Sequence, residues 1–185
     1  MRLFNTTLVG LALAACVNST WADHKSPTPP PLVTFNGAIG VDPLTAASGA
    51  DTLNVVRGVN PGGRAWVLRK LQATVAGDGS VRISGRGLLF SSGDLIGTRG
   101  GVTNVLATLA CGAADATARK FNSPMGTLDL AGNFSIRGAL SEDGINRAVL
   151  PPTCDNPVLL IRSANATTGA AGNWFAAGIP GGSDD

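Results

Sequence analysis

The sequence predicts an all-β chain, an antiparallel β-sandwich of roughly 8–10 short strands with Gly-rich loops and at most one or two short helical turns. Three observations lead there. From about Val33 onward, short apolar runs alternate with Gly, Pro, Asn and Asp at close intervals. Straight-chain helix formers are scarce, with Glu once (Glu142), Gln once (Gln72) and Lys three times in 185 residues. Such side chains normally fill helix surfaces because they lose little rotamer freedom there. Glycine, at 25 residues, is about twice its usual share, and it weakens helix interiors through backbone entropy.

The clearest unit is a hairpin: residues 71–75, the turn Ala76-Gly77-Asp78-Gly79, then residues 80–88. Asp and Gly both tolerate positive φ, which tight hairpin turns require. Val81 and Ile83 alternate with Arg82 and Ser84, giving one buried and one wet face. A second hairpin is predicted from residues 126–130, Ala131-Gly132-Asn133 and residues 134–140. Further strands are predicted at 32–38, 53–56, 65–68, 102–110, 117–121, 158–162 and 173–177. The run Val158-Leu159-Leu160-Ile161 is apolar on both faces and therefore central. Between Trp66 and Val75 the apolar parity changes, which predicts a bulge near Arg69-Lys70 or a break between two strands. Asp42-Pro43 reads as a helix cap with Pro at the first helical position, so a helical turn or two is expected over 43–50. Residues 113–119 fit either helix or strand.

Residues 1–22 have the layout of a secretion signal. Arg2 supplies charge, residues 8–17 are apolar, Asn18-Ser19-Thr20 is polar, and Thr20 and Ala22 are the small residues ahead of Asp23. The apolar stretch is too short to span a bilayer. A competing reading is the lipobox form Leu13-Ala14-Ala15-Cys16, in which Cys16 is the lipidation site. Residues 23–33 are a Pro-rich tether, 34–178 a single β-sandwich domain, and 179–185 a flexible tail. A transmembrane barrel would need aromatic girdles, and this chain has no Tyr and three Trp.

Chemistry is sparse. His24 is the only histidine and falls in the tether, so the base that Ser and Cys nucleophiles usually need is missing from the domain. No catalytic residue, cofactor or metal ligand is predicted. Asp94, Glu142 and Asp143 lie in Gly-rich turns, where carboxylates mostly cap backbone N–H groups. A glycosidase would need two of them facing across a cleft. Residues 58–63 and 93–101 are Gly-rich but lack the Lys-Ser/Thr of a phosphate loop. Trp66, Trp174 and Phe175 would stack on sugar if exposed, and anchor the core if not. Cys111 and Cys154 form an even pair, expected as a disulfide in an oxidising compartment. Arg82 and Arg86 share one strand face, with Arg137 of the second hairpin beside them, a candidate surface binding stripe.

The formal charge of +2 falls to about +1 without Arg2, so net charge gives no case for nucleic acid or an anionic membrane. The sequence thus predicts an exported, non-enzymatic β-sandwich protein of the periplasm or extracellular space. It would be a binding, adhesion or structural module for an unidentified ligand or envelope partner. No nucleic-acid partner and no transmembrane span of the mature chain are expected, and membrane contact follows only if Cys16 is lipidated, as in an outer-membrane lipoprotein. The rival is a small secreted carboxylate-dependent hydrolase.

Overall fold

The Asp78 turn sets the geometry around which the rest is arranged. In the computed structural model, which describes residues 30–47 and 50–182, Asp78 Oδ1 accepts from the Ser80 amide at 2.9 Å and the Ser80 hydroxyl at 2.7 Å. Gly79 takes a positive φ of 81°. This turn joins β4 (Trp66–Ala76) to β5 (Ser80–Phe90), and the pair runs in register from Val75↔Val81 to Trp66↔Phe90. The all-β, antiparallel expectation holds, and no helix occurs among the described residues.

The remaining strands are β1 (Pro31–Gly40), β2 (Leu44–Ala47), β3 (Ala50–Leu53), β6 (Asn104–Cys111), β7 (Arg119–Asn122), β8 (Gly126–Thr127), β9 (Phe134–Ala139), β10 (Val158–Ala164) and β11 (Ala171–Pro180). Nine form one sheet in the order β7-β6-β10-β11-β1-β4-β5-β9, with β8 also pairing β6. The sheet curls around a shared core, sandwich-like, and its ends meet. Beyond β9, Ser141 donates its amide to the Asn122 carbonyl at 2.9 Å and accepts from the Asn122 amide at 2.7 Å. Phe35, Leu71, Val75, Ile83, Leu109, Phe121, Ile136 and Leu160 fill the interior. Trp66, Trp174 and Phe175 are buried there too, so they anchor the core and form no sugar platform. β10 lies between β6 and β11, as its two-sided apolar pattern requires.

The parity switch in β4 has a different origin from a simple bulge or strand break. β4 is continuous and its register with β5 is unchanged on either side of Arg69. Both strands change parity at the same level, β4 from Leu68 to Leu71 and β5 from Gly85 to Leu88. Gly87, at φ 72°, allows this shared kink, and the Arg69 guanidinium lies where its Cβ would stand. Glycine kinks of this kind are what curve a sheet.

Three expectations are corrected. The helical turn over 43–50 is absent: β2 and β3 pair from Leu44↔Leu53 to Ala47↔Ala50 as a separate two-stranded sheet. Ser48-Gly49 lie between them in the sequence and outside the described residues, and strand pairing outcompetes the Asp42-Pro43 cap signal. The second hairpin forms its turn but not its ladder. Asp129 accepts from the Asn133 amide at 2.7 Å, yet β8 pairs with β6 and β9 with β5. The turn thus bridges the seam where the sheet closes. Strand structure also reaches Pro31 and Pro180, slightly past the predicted domain limits. In the ambiguous 113–119 segment, residues 113–118 form a loop and Arg119 opens β7. The predicted leader, Cys16, His24 and the last three residues lie outside the described residues.

Candidate anion-binding face

Alternation along β5 sends Val81, Ile83 and Gly85 inward and leaves Arg82, Ser84 and Arg86 exposed. The turn register then fixes their neighbours. Lys70 stands across from Arg86, Gln72 from Ser84 and Thr74 from Arg82. On the other side β9 places Ser135 opposite Ser84 and Arg137 opposite Arg82. β1 extends the rows with Asn36 beside Gln72 and Thr34 beside Thr74. The structure therefore brings together all three arginines singled out from the sequence. It adds Arg69 and Lys70, which sequence reasoning set aside as a break point. Continuing the register outward from Asp78-Gly79 would have found Lys70.

The face is charge-segregated. None of the nine strands of the main sheet contains an Asp or Glu, and every charged residue in them is a cation. Three of those cations are committed elsewhere. Arg119 pairs with Glu142 at 2.9 Å, and Lys120 donates to the Ala116 carbonyl at 2.7 Å. Arg162 donates to the Gly172 carbonyl at 2.7 Å and to Thr108 Oγ1 at 3.1 Å, with partial burial pulling its pKa down. Among the described residues, Arg69, Lys70, Arg82, Arg86 and Arg137 have no ion pair and no side-chain hydrogen bond. Two like-charge pairs, Lys70–Arg86 and Arg82–Arg137, stand directly opposite each other across strands, an arrangement that destabilises a sheet.

Two shallow hollows mark this surface. One of about 210 Å³ is lined by Asn36, Arg69, Lys70, Gln72, Ser84 and Arg86. The other, of about 240 Å³, is lined by Gln72, Thr74, Arg82, Ser84, Ser135 and Arg137. They share Gln72 and Ser84, so each cation pair borders one hollow and an uncharged polar row joins them.

The carboxylates are arranged differently. A larger cleft of about 490 Å³ has Glu142, Asp143, Asn146 and Ser141 on its wall. Asp143 Oδ1 accepts from Ser141 Oγ at 2.8 Å, the Ile145 amide at 2.9 Å and the Asn146 amide at 2.8 Å, while Oδ2 accepts from Asn146 Nδ2 at 2.8 Å. Those hydrogen bonds, chiefly from the Asn146 and Ile145 amides, hold its carboxyl well below the usual range. Asp94 pairs with Arg64, which lowers its pKa likewise. A general acid needs the opposite, a pKa raised toward the working pH. Among the described residues no group of three or more His, Cys, Asp or Glu is placed to hold a metal, and no helix is long and apolar enough to cross a membrane.

Cys111 and Cys154 lie 5.0 Å apart between Cα atoms and are disulfide-bonded, tying the end of β6 to the segment entering β10. No family model, curated protein or solved structure matches the chain.

Proposed function

We propose that this chain is an exported, non-enzymatic binding module whose working surface is the outer face of β4, β5 and β9, and that it takes a multiply anionic ligand there. One observation carries the reading: five cations that have no ion-pair partner among the described residues stand on strands that contain no carboxylate, two pairs of them directly opposed. Like charges at that spacing cost stability in the free protein, and an anion between them converts repulsion into charge-assisted hydrogen bonding. The carboxylate-hydrolase reading is weaker, because Glu142 and Asp143 are already engaged by Arg119, Ser141 and Asn146.

Retention on a sulfonate matrix at pH 7 tests this. The net charge is small, so retention at low salt would report the local face. The wild-type chain should be held and the triple variant Arg82→Ser, Arg86→Ser, Arg137→Ser should flow through. Equal elution of the two would remove the reading. Export rests on the leader and fits the disulfide. Material from a secreting host should begin at Asp23, or at a lipidated Cys16, and an intact Met1 on cytoplasmic protein would overturn it.

A further inference from the structure

We infer that the ligand of this face is an extended anionic polysaccharide, sulfated or uronate-bearing, lying along β5 so that separate acidic groups meet the Lys70–Arg86 pair and the Arg82–Arg137 pair. This inference rests on the binding reading above and narrows it to one chemical class.

Five features select that class. Arg82 and Arg86 are four residues apart on β5, which at about 3.4 Å per residue puts the two cation pairs roughly 13 Å apart. A single small anion can satisfy one pair only, so using both needs a chain with spaced charges. Between the pairs runs a row of hydroxyl and amide side chains, Asn36–Gln72–Ser84–Ser135, each both donor and acceptor. Sugar hydroxyls between acidic groups match such a row, whereas a polyphosphate offers it acceptors only. The rows contain no aromatic side chain, so bases of a single strand would have nothing to stack on. These rows contain no exposed large apolar residue either, Val67 at the far end of β4 being the one exposed on the three strands, so nothing between the cation pairs inserts into a bilayer. Three of the four paired cations are Arg, whose planar fork grips sulfate or carboxylate oxygens two at a time.

Calorimetric titration of the full chain tests this at fixed ionic strength. The probes are heparin-derived oligosaccharides from disaccharide to decasaccharide, polygalacturonate, sodium sulfate, single-stranded oligothymidylate and phosphatidylglycerol vesicles. Affinity should step up once an oligosaccharide is long enough to span both pairs, and either sulfated or uronate chains should exceed sulfate ion, oligothymidylate and vesicles. The double variants Lys70→Ser/Arg86→Ser and Arg82→Ser/Arg137→Ser should each drop the long chain to the affinity of the short ones, a loss of about tenfold or more. Gln72→Ala/Ser84→Ala should weaken the glycan while leaving the salt dependence unchanged. Thermal melts of each variant establish that it is folded.

Sulfate ion binding as well as the decasaccharide would overturn the extended-chain inference and leave the anion-binding reading standing. Oligothymidylate or vesicles binding more tightly than every glycan would overturn the class. No salt-dependent binding of any polyanion would overturn the inference and the functional reading together.

Discussion

Arg57 donates from Nη2 to the carbonyl of Asn156, 2.9 Å away and 99 residues later in the chain. Both residues have left-handed backbones, at φ 52° and φ 47°, and they are the two non-glycine residues with positive φ among those described. The same guanidinium donates to the Ala113 carbonyl. Ala113 and Asn156 each follow a disulfide cysteine by two residues, and Gly112 donates its amide to the Asp155 carbonyl at 2.7 Å. Arg57 therefore clamps both chains just beyond the bridge, and its fork offsets the strain of its own backbone.

Arg57→Ala should destabilise the fold by about 1–3 kcal/mol, since it orphans two carbonyls and keeps an unfavourable φ. Arg57→Gly should cost less, because Gly adopts that φ freely. Asn156→Gly should fall within about 0.5 kcal/mol of the wild type. Urea denaturation of the three variants measures the order, and an alanine variant as stable as the glycine variant would contradict it.

The disulfide closes a loop with a sequence separation of 43, which the chain-entropy account values at about 4 kcal/mol. Reduction, or Cys111→Ser, should therefore lower the melting temperature by roughly 10 °C in a domain of this size. Alkylation of denatured, unreduced, secreted protein should find neither thiol free. Two reactive thiols per chain would show that the bridge is absent.

Acid stability follows from the turns. Asp78, Asp94, Asp115, Asp129 and Asp143 all have carboxyl pKa values lowered from 3.8 by hydrogen bonds and, for some, a nearby Arg. A carboxyl depressed in the folded state contributes stability above its unfolded pKa and loses it as pH falls through the folded value. The melting temperature should thus be nearly flat from pH 7 down to about 5 and fall below the normal carboxylate range. Asp143→Asn should melt lower at pH 7 and show a shallower acid decline. An unchanged acid slope in that variant would remove Asp143 from the account.

The opposed arginines make a prediction of the reverse sign. Arg137→Thr should stabilise the free protein by about 0.2–1 kcal/mol at low salt, by removing a like charge from across Arg82. The gain should shrink as salt is added, because exposed charges are screened. A gain independent of salt would mean that Thr is the better strand residue there and that repulsion is not the cause.

Legibility in the sequence followed the range of the interaction. The β4–β5 hairpin could be read because its signal, Asp78-Gly79 between alternating runs, lies within a dozen residues of everything it pairs. The Asp129–Asn133 turn was equally readable, but its strands choose partners at Asn104 and Ser84, which no local pattern encodes. Asp42-Pro43 shows the converse, a sound capping signal overridden by pairing with residues up to Leu53. Half of the binding face came from side-chain alternation in β5. The remainder was hidden at Arg69-Lys70, where two strands kink together and parity alone suggests an interruption. Net charge concealed the face as well, since every Asp and Glu among the described residues lies outside the strands of the main sheet.

The pairing of Ala38 with Gly178 and Ile39 with Ala177 sets β1 against β11, the first and last strands described, near the middle of the sheet. Local hairpins such as β4–β5 can form early, but this junction has nearly the largest sequence separation available, so folding should be slow for the domain's size. Until β11 docks, β1 and β10 each expose a central-strand edge, the kind of surface that recruits other chains. A chain shortened before Ala171 would keep both edges open and should aggregate, whereas one emerging N-terminus first stays unclosed until its final strand is free.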